Sequence, residues 1–351
     1  MAEFQSRALG RMRAAVTSLG FGTVPLAGFK AKVSFADAQA IVKAAYDGGI
    51  RYFDCAPLYG FGKAEYNLGH ALRELGIREA VTVSTKVGRV LKAKSRTKAL
   101  DTVYGIDWVE PLPFLDTYDY TYEGIMRSFE DSQKRLALDH IDILYVHDLG
   151  SAWHGDQADV YWKQIRESGY RALDELRSSG AVKAVGLGVN ETEAVVTVAR
   201  EFDIDCAMIA GRYSLLNHAP LEGAFDELRQ RGVSVVAAGV FNSGVLASGV
   251  KNGGASYDYG DVPEDIAKKV AAIEDVCVAH RVSLPAAAIQ FVAAHPAVAT
   301  VVLGAKDVEQ TRQNIESFSQ DIPASFWADL TEKGLLPGTA PVPARQWAHR
   351  A

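Results

Sequence analysis

Four residues in the first half of the chain are of the right types to move a proton to or from an alcohol. Asp54 lies in the apolar run Tyr-Phe-Asp-Cys-Ala, and Tyr59 follows in the loop Pro-Leu-Tyr-Gly-Phe-Gly. Lys86 stands near the end of Val-Thr-Val-Ser-Thr-Lys-Val, and His147 closes Asp-Ile-Leu-Tyr-Val-His. Oxidising an alcohol needs a base at the hydroxyl oxygen while hydride leaves the carbon. A free phenol titrates at about 10, too high for efficient work near neutrality. An ammonium group beside it favours the phenolate. Asp54 would pair with Lys86 and hold it, and His147 could hydrogen-bond the substrate oxygen. Each residue alone has a plainer role: Asp54 as a strand-end cap, Lys86 as a surface charge, His147 as a satisfied core histidine. Their shared position argues for the chemical role. A charged group closing an apolar strand is costly to bury without a partner, and three successive runs end in one.

The elements that must carry them alternate in type. Apolar, β-branched runs occur at Tyr52–Ala56, Val81–Val87, Ile141–His147, Val182–Val189, Cys206–Tyr213, Val233–Val240 and Ala299–Leu303, with a shorter one near Thr17–Gly22. Helical spacing of apolar residues fills the gaps at Phe35–Asp47, Tyr122–Leu136, Arg166–Ser178, Glu191–Glu201, Leu221–Arg231, Glu264–His280 and Glu309–Ser317. Such alternation predicts a single α/β domain over residues 1–351, an eight-stranded parallel (β/α)8 TIM barrel. A doubly wound open sheet is the rival. It would want an early Gly-x-Gly-x-x-Gly turn, and the nearest match, Gly186-Leu-Gly-Val-Asn-Glu191, comes mid-chain with Glu in place of the third Gly. Two connections, Gly88 to about Tyr122 and Asp148 to about Gly169, exceed simple turns. They read as long functional loops over the C-terminal face, after strands 3 and 4. The Pro-rich stretch Leu336–Pro343 reads as an extended tail.

Composition narrows the class. Of 351 residues 48% are apolar, enough for a large core, and no run approaches a membrane span. The N-terminus lacks the apolar run of a secretory signal. A net charge of −6 without a basic block argues against a nucleic-acid partner. Cys55, Cys206 and Cys277 are sparse and odd in number, as expected of reduced thiols in a cytoplasmic enzyme. Neither Cys-x-x-Cys nor His-x-His is present, so neither a zinc site nor a metal-dependent hydrolase is expected.

The segment Gly49-Ile-Arg-Tyr-Phe-Asp-Cys-Ala-Pro-Leu-Tyr-Gly60, with Glu65 and Leu68-Gly69 after it, resembles the signature of the aldo-keto reductase family. Leu9-Gly10-Arg11, Leu19-Gly-Phe-Gly-Thr23, Val185-Gly-Leu-Gly-Val-Asn190 and Gly304-Ala-Lys306 are similar to its N-terminal hairpin and its strands 1, 5 and 8. The likeness runs in order along essentially the whole chain. It implies a nicotinamide dinucleotide bound without a Rossmann domain, no metal, and Tyr59, Lys86, His147 and Asp54 as the catalytic tetrad. It places Thr23 and Asp54 beside the cofactor, Asn190 on the carboxamide and Tyr213 against the nicotinamide ring. Ala210 stands where the family often has Gln, so one carboxamide partner is missing. Ser243, Gly244 and Leu246 fall on the pyrophosphate loop, although Asn-Ser-Gly is also a simple turn sequence. Gly304, Lys306, Gln310, Gln313 and Asn314 fall on the adenine side. Gln310 stands where many NADP-preferring members carry Arg. A neutral amide cannot pair bidentately with a phosphate, so NAD is expected, with NADP possible through Lys306.

Segments such as Val146-His-Asp-Leu-Gly150 and Phe241-Asn-Ser-Gly-Val-Leu-Ala247 resemble the branch of D-threo-aldose 1-dehydrogenases and pyridoxal 4-dehydrogenases. The implied reaction oxidises a cyclic hemiacetal to a lactone, with an aldose expected ahead of pyridoxal. Trp153 and His154, on the second long loop, are expected to line the substrate pocket, with loop packing as the alternative. An aldehyde reductase and a nicotinamide-sensing channel subunit are further alternatives that the same residues allow. Oligomeric state is not legible.

Overall fold

The computed structural model describes residues 4–10, 14–94, 100–103, 105–251, 253, 255–258 and 260–343. Arg11 of the opening motif lies outside them. Eight parallel strands close a barrel. They are β1 (Leu19–Gly22), β2 (Tyr52–Asp54), β3 (Thr82–Val87), β4 (Ile143–His147), β5 (Ala184–Val189), β6 (Cys206–Ala210), β7 (Ser234–Ala238) and β8 (Val298–Leu303). Every residue of β2, β3, β4, β5 and β8 is buried. That explains their near-continuous apolar sequences, since a parallel strand is covered on both faces. Gly186-Leu-Gly188 lies inside β5, so it is no phosphate-binding turn. A Cβ on Gly186 would fall 1.9 Å from the Cys206 carbonyl oxygen, and this close approach of β6 requires glycine.

A hairpin, Ser6–Leu9 paired with Ala14–Thr17, precedes β1. Its Leu9, Ala14 and Val16 join one buried cluster with Tyr52, Ile143, Tyr145, Cys206 and Met208 and so plug the barrel's lower end. A second, larger cluster lies between the strands and the surrounding helices. The helix Phe35–Asp47 is typical of these. Ser34 and Asp37 form a reciprocal cap at its start, and Ala38, Ile41, Val42 and Ala45 face inward. Helices at Lys63–Glu74, Leu284–Ala293 and Ala324–Glu332 add to those expected.

The two long connections differ from one another. The first folds into antiparallel pairs, Arg89–Ala93 with Phe114–Tyr118 and Leu100–Val103 with Ile106–Val109. This lobe buries Trp108 against Ala27, Leu58, Phe61 and Ala64, and Tyr59 packs on the same cluster. Burying such an aromatic stabilises the lobe by about 2–3 kcal/mol. The second connection is a correction to the expected loop, because it is mostly helical. Short helices at Ser151–His154 and Ala158–Gln164 run through a π-helical turn, Ile165–Gly169, into Tyr170–Ser178. Among the described residues no single helix is long and apolar enough to cross a membrane.

Candidate active site

Barrel register brings three of the four catalytic candidates together. Asp54 pairs with Ser84, and Lys86 with Tyr145, two residues before His147. Lys86 Nζ donates to Asp54 Oδ2 at 2.6 Å and to the Cys55 carbonyl at 2.9 Å. Ser84 Oγ donates to Asp54 Oδ1 at 2.7 Å, and Tyr52 OH lies 2.9 Å from Ser84 Oγ and 3.1 Å from Tyr145 OH. A line of hydrogen bonds thus runs from the barrel interior up to the Lys86 ammonium. Lys86 and Asp54 are buried, and Asp54 holds Lys86 protonated, well above its ordinary value, against the cost of burial.

Tyr59 enters from the loop after β2. The Lys86 ammonium lies 4.8 Å from its ring centroid, and the His147 ring meets it edge-on at 6.1 Å. Burial pushes the Tyr59 phenol up to about 12, while Lys86 opposes this by charge and hydrogen bonding. The expected phenolate is therefore favoured by Lys86 but disfavoured more strongly by the dry surroundings. Tyr59 rests as a phenol. Burial, helped by Arg89 and Lys86, holds His147 well below its usual range, so its imidazole is neutral. Its Nε2 is 3.5 Å from Asp148 Oδ2, and its Nδ1 is buried with no partner among the described residues.

Sequence reasoning passed over the groups beneath this tetrad. Arg89 is buried and donates to Asp148 Oδ2 from Nε at 3.2 Å and from a terminal nitrogen at 2.5 Å, and it also pairs with Asp116. Tyr120 OH donates to the His147 carbonyl at 2.6 Å. Tyr120 can come this close because Gly88 has no Cβ, which would sit 2.3 Å from its ring. Asp148 and Arg89 had a visible signal, since each is a charged residue one or two positions past the end of an apolar strand. Ser84 had one too, two residues before Lys86 on the same face of β3.

Two expectations need correction. His154 does not line a pocket. Its Nε2 is 3.0 Å from Tyr120 OH, and its ring is boxed by Tyr118 at 4.3 Å and Tyr161 at 4.3 Å. Burial and Arg89 lower it to about 4. It is a neutral packing histidine that steadies Tyr120. Tyr213 does not offer its ring to a nicotinamide. It is buried against Phe225 at 4.9 Å and Phe291 at 5.3 Å, in the helical layer. The chain leaves β6 through Gly211 at φ 71°, which carries Tyr213 away from the mouth.

The remaining cofactor candidates ring the mouth at the ends of β1, β5, β7 and β8. Thr23 Oγ1, Asn242 Oδ1 and His147 Nδ1 are buried polar atoms without a partner among the described residues. Such groups are costly unless something bonds them, and a ligand with donors and acceptors along this arc would do so. At Gly304 a Cβ would meet Pro25 at 3.0 Å, so the β8 end is open only to backbone. These features fit a nicotinamide dinucleotide. The pyrophosphate loop is partly self-satisfied: the Gly244 and Leu246 amides both donate to the Phe241 carbonyl, and Ser256 Oγ donates to the Ser243 carbonyl. On the adenine side Asp307 caps the helix Val308–Ser319 by accepting from the Gln310 amide, and the Gln310 side chain accepts from the Lys306 amide. Gln313 bonds Glu309, and Asn314 donates to the Gly304 carbonyl. The Lys306 side chain is exposed. Among the described residues no group of three His, Cys, Asp or Glu could hold a metal ion.

The family model described as Aldo/keto reductase family matches residues 18–334. The chain belongs to that family. It is accordingly an NAD(P)-dependent oxidoreductase. It is 44% identical to a pyridoxal 4-dehydrogenase of Microbacterium luteolum over 95% of this chain and 98% of that one. It is 37% identical to a D-threo-aldose 1-dehydrogenase of a Pseudomonas species over 92% of this chain and 95% of that one. Among solved structures, the holo form of an aldo-keto reductase from Bacillus halodurans is similar in fold, with a TM-score of 0.71 at 24% identity, covering 99% of this chain and 100% of that one.

Proposed function

We propose that the protein oxidises the cyclic hemiacetal of a small aldehyde to its lactone with NAD, using Tyr59 as acid and base, with pyridoxal ahead of an aldose as the substrate. The observation that carries the reaction is the buried Lys86–Asp54 pair set against a half-buried phenol and a neutral histidine. Thr23, Asn190 and the turns after β7 and β8 would hold the cofactor, which when bound takes the hydride from the hemiacetal carbon. Tyr59, once it has lost its own proton to solvent, takes the hydroxyl proton as a phenolate that Lys86 stabilises. Asp54 and Ser84 fix the ammonium, so the charge does not have to reorganise during the reaction. Neutral His147 could donate a ring N–H to the substrate oxygen, which leaves the single hydroxyl hydrogen directed at Tyr59. The proton that Tyr59 has taken leaves it for solvent before the next turnover.

The expected order of aldose before pyridoxal is reversed on two supports. The pyridoxal 4-dehydrogenase relative has the higher identity. The half-buried rings of Tyr118 and Trp153 lie against the Arg89 guanidinium at 4.3 and 5.6 Å, an aromatic group that could serve an aromatic substrate. The D-threo-aldose 1-dehydrogenase relative keeps the aldose as a second reading. The test is NADH formation from pyridoxal, L-fucose, L-galactose and D-arabinose, each with NAD and with NADP. A kcat/KM for pyridoxal below that for any sugar would overturn the order, and a strong NADP preference would overturn the cofactor.

A further inference from the structure

We infer that Trp153 is a positioning residue for the cofactor: it sets the orientation of the Asn190 amide, so that Asn190 and the backbone of Ala210 together do the work of the carboxamide partner this chain lacks. The inference rests on the reading of the mouth as a nicotinamide site. Trp153 Nε1 lies 3.2 Å from Asn190 Oδ1, and Asn190 Nδ2 lies 3.0 Å from the Ala210 carbonyl. An indole nitrogen can only donate and a backbone carbonyl can only accept. Both contacts therefore demand the same orientation of the amide, with oxygen toward Trp153 and nitrogen toward Ala210. The choice is made by chemistry at both ends, and flipping the amide would break both bonds.

The placement is built from both sides. Glu191, next in sequence, accepts from Ser151 N at 3.2 Å, from Ser151 Oγ at 3.0 Å and from Ala152 N. This anchors the helix that carries Trp153. Arg212 Nε donates to the Asn190 carbonyl at 2.8 Å, which ties the backbone of Asn190 to the turn after β6. An Asn amide has two N–H donors and two acceptor lone pairs. One of each is spent on Ala210 and Trp153, which leaves one N–H and one lone pair. A carboxamide, with its own C=O and NH2, needs that complementary pair. Ala210 contributes a fixed backbone acceptor where a Gln side chain would otherwise hold the amide. A tryptophan on the loop after β4 thus serves the nicotinamide end as well as any substrate.

The test measures equilibrium binding of NADH, of its 3-acetylpyridine analogue, which lacks the amide N–H, and of ADP-ribose, which lacks the nicotinamide. Trp153→Phe keeps the ring and removes the donor. The expected result is an NADH Kd about 5- to 10-fold weaker, the worth of about one hydrogen bond, an ADP-ribose Kd within about twofold of wild type, and a smaller preference for NADH over the analogue. Asn190→Asp, which still accepts from Trp153 but cannot donate, should give the same pattern and serves if the first variant does not fold. An unchanged NADH Kd with a raised substrate KM in Trp153→Phe would overturn the inference and return Trp153 to the substrate wall. Equal weakening of NADH and ADP-ribose would also overturn it, as general loop damage. If wild type binds neither NADH nor ADP-ribose, the nicotinamide reading itself fails, and this inference with it.

Discussion

Lys86 and Asp54 are withdrawn from water by the protein alone, whereas Lys306 and Gln313, across the mouth at the end of β8, stay exposed. On the first side the charges are matched by partners on other strands or loops: Asp54 by Lys86, Asp148 and Asp116 by Arg89. On the second side the bonds are short-range, running within one turn between Asp307, Gln310, Glu309 and Gln313. The contrast separates two tasks. Chemistry needs charge that is already in place, and a low dielectric makes fixed charge effective. Gripping a long, flexible dinucleotide needs groups that can exchange one partner for another.

The sharpest way to break this contrast is at Tyr59. Tyr59→Phe should cut kcat by about 100- to 10,000-fold, the range for losing an acid–base group, while NADH binding holds. Because burial holds the phenol up to about 12, wild-type kcat/KM for oxidation should climb as pH rises through 9. Retention of that climb in the Phe variant would assign the proton transfer elsewhere. Next in size is Asp54→Asn, which leaves the Lys86 ammonium buried and uncompensated. Urea unfolding should show a loss of about 3 kcal/mol, and an unchanged midpoint would mean that Lys86 finds another partner.

A third effect comes from neutral imidazoles. Burial depresses His147 strongly, and His154, His218 and His295 to about 4. With a folded value below the unfolded one, between the two the unfolded chain binds protons that the native state does not. Stability is therefore full above about pH 6.5 and falls as pH drops, with a slope of up to about 1.4 kcal/mol per pH unit for His147. His154, His218 and His295 add slopes of the same sign that level off near 4. Denaturation midpoints at pH 7.5, 6 and 5 measure it, and a flat profile would show the rings titrating normally. The smallest effect belongs to the adaptable side. Asp307→Ala removes the helix cap and should cost about 1 kcal/mol, with kcat for the best substrate unchanged. A large loss of kcat there would erase the distinction between the two sides.

What the sequence disclosed follows the same division. Asp54, Lys86 and His147 stood out because charge at the end of an apolar strand is rare and expensive, and the parallel barrel lines such ends up. Arg89, Asp148 and Ser84 carried a weaker form of the same signal. The helix Leu284–Ala293 escaped because it is buried almost all round, which erases the helical period. Lys63–Glu74 was hidden inside the family signature. Tyr213 and His154 failed for a geometric reason. An aromatic residue near a strand end is visible in sequence, but whether the intervening turn sends it over the mouth or into the helical layer depends on a backbone angle such as that of Gly211.

The hairpin packed under the barrel has a kinetic consequence. With Leu9, Ala14 and Val16 sealing the floor beneath Tyr52 and Tyr145, the barrel is closed from below, and reactants reach Lys86 from the opposite end. Two reactants entering from one end are expected to bind in order, which product-inhibition patterns would measure.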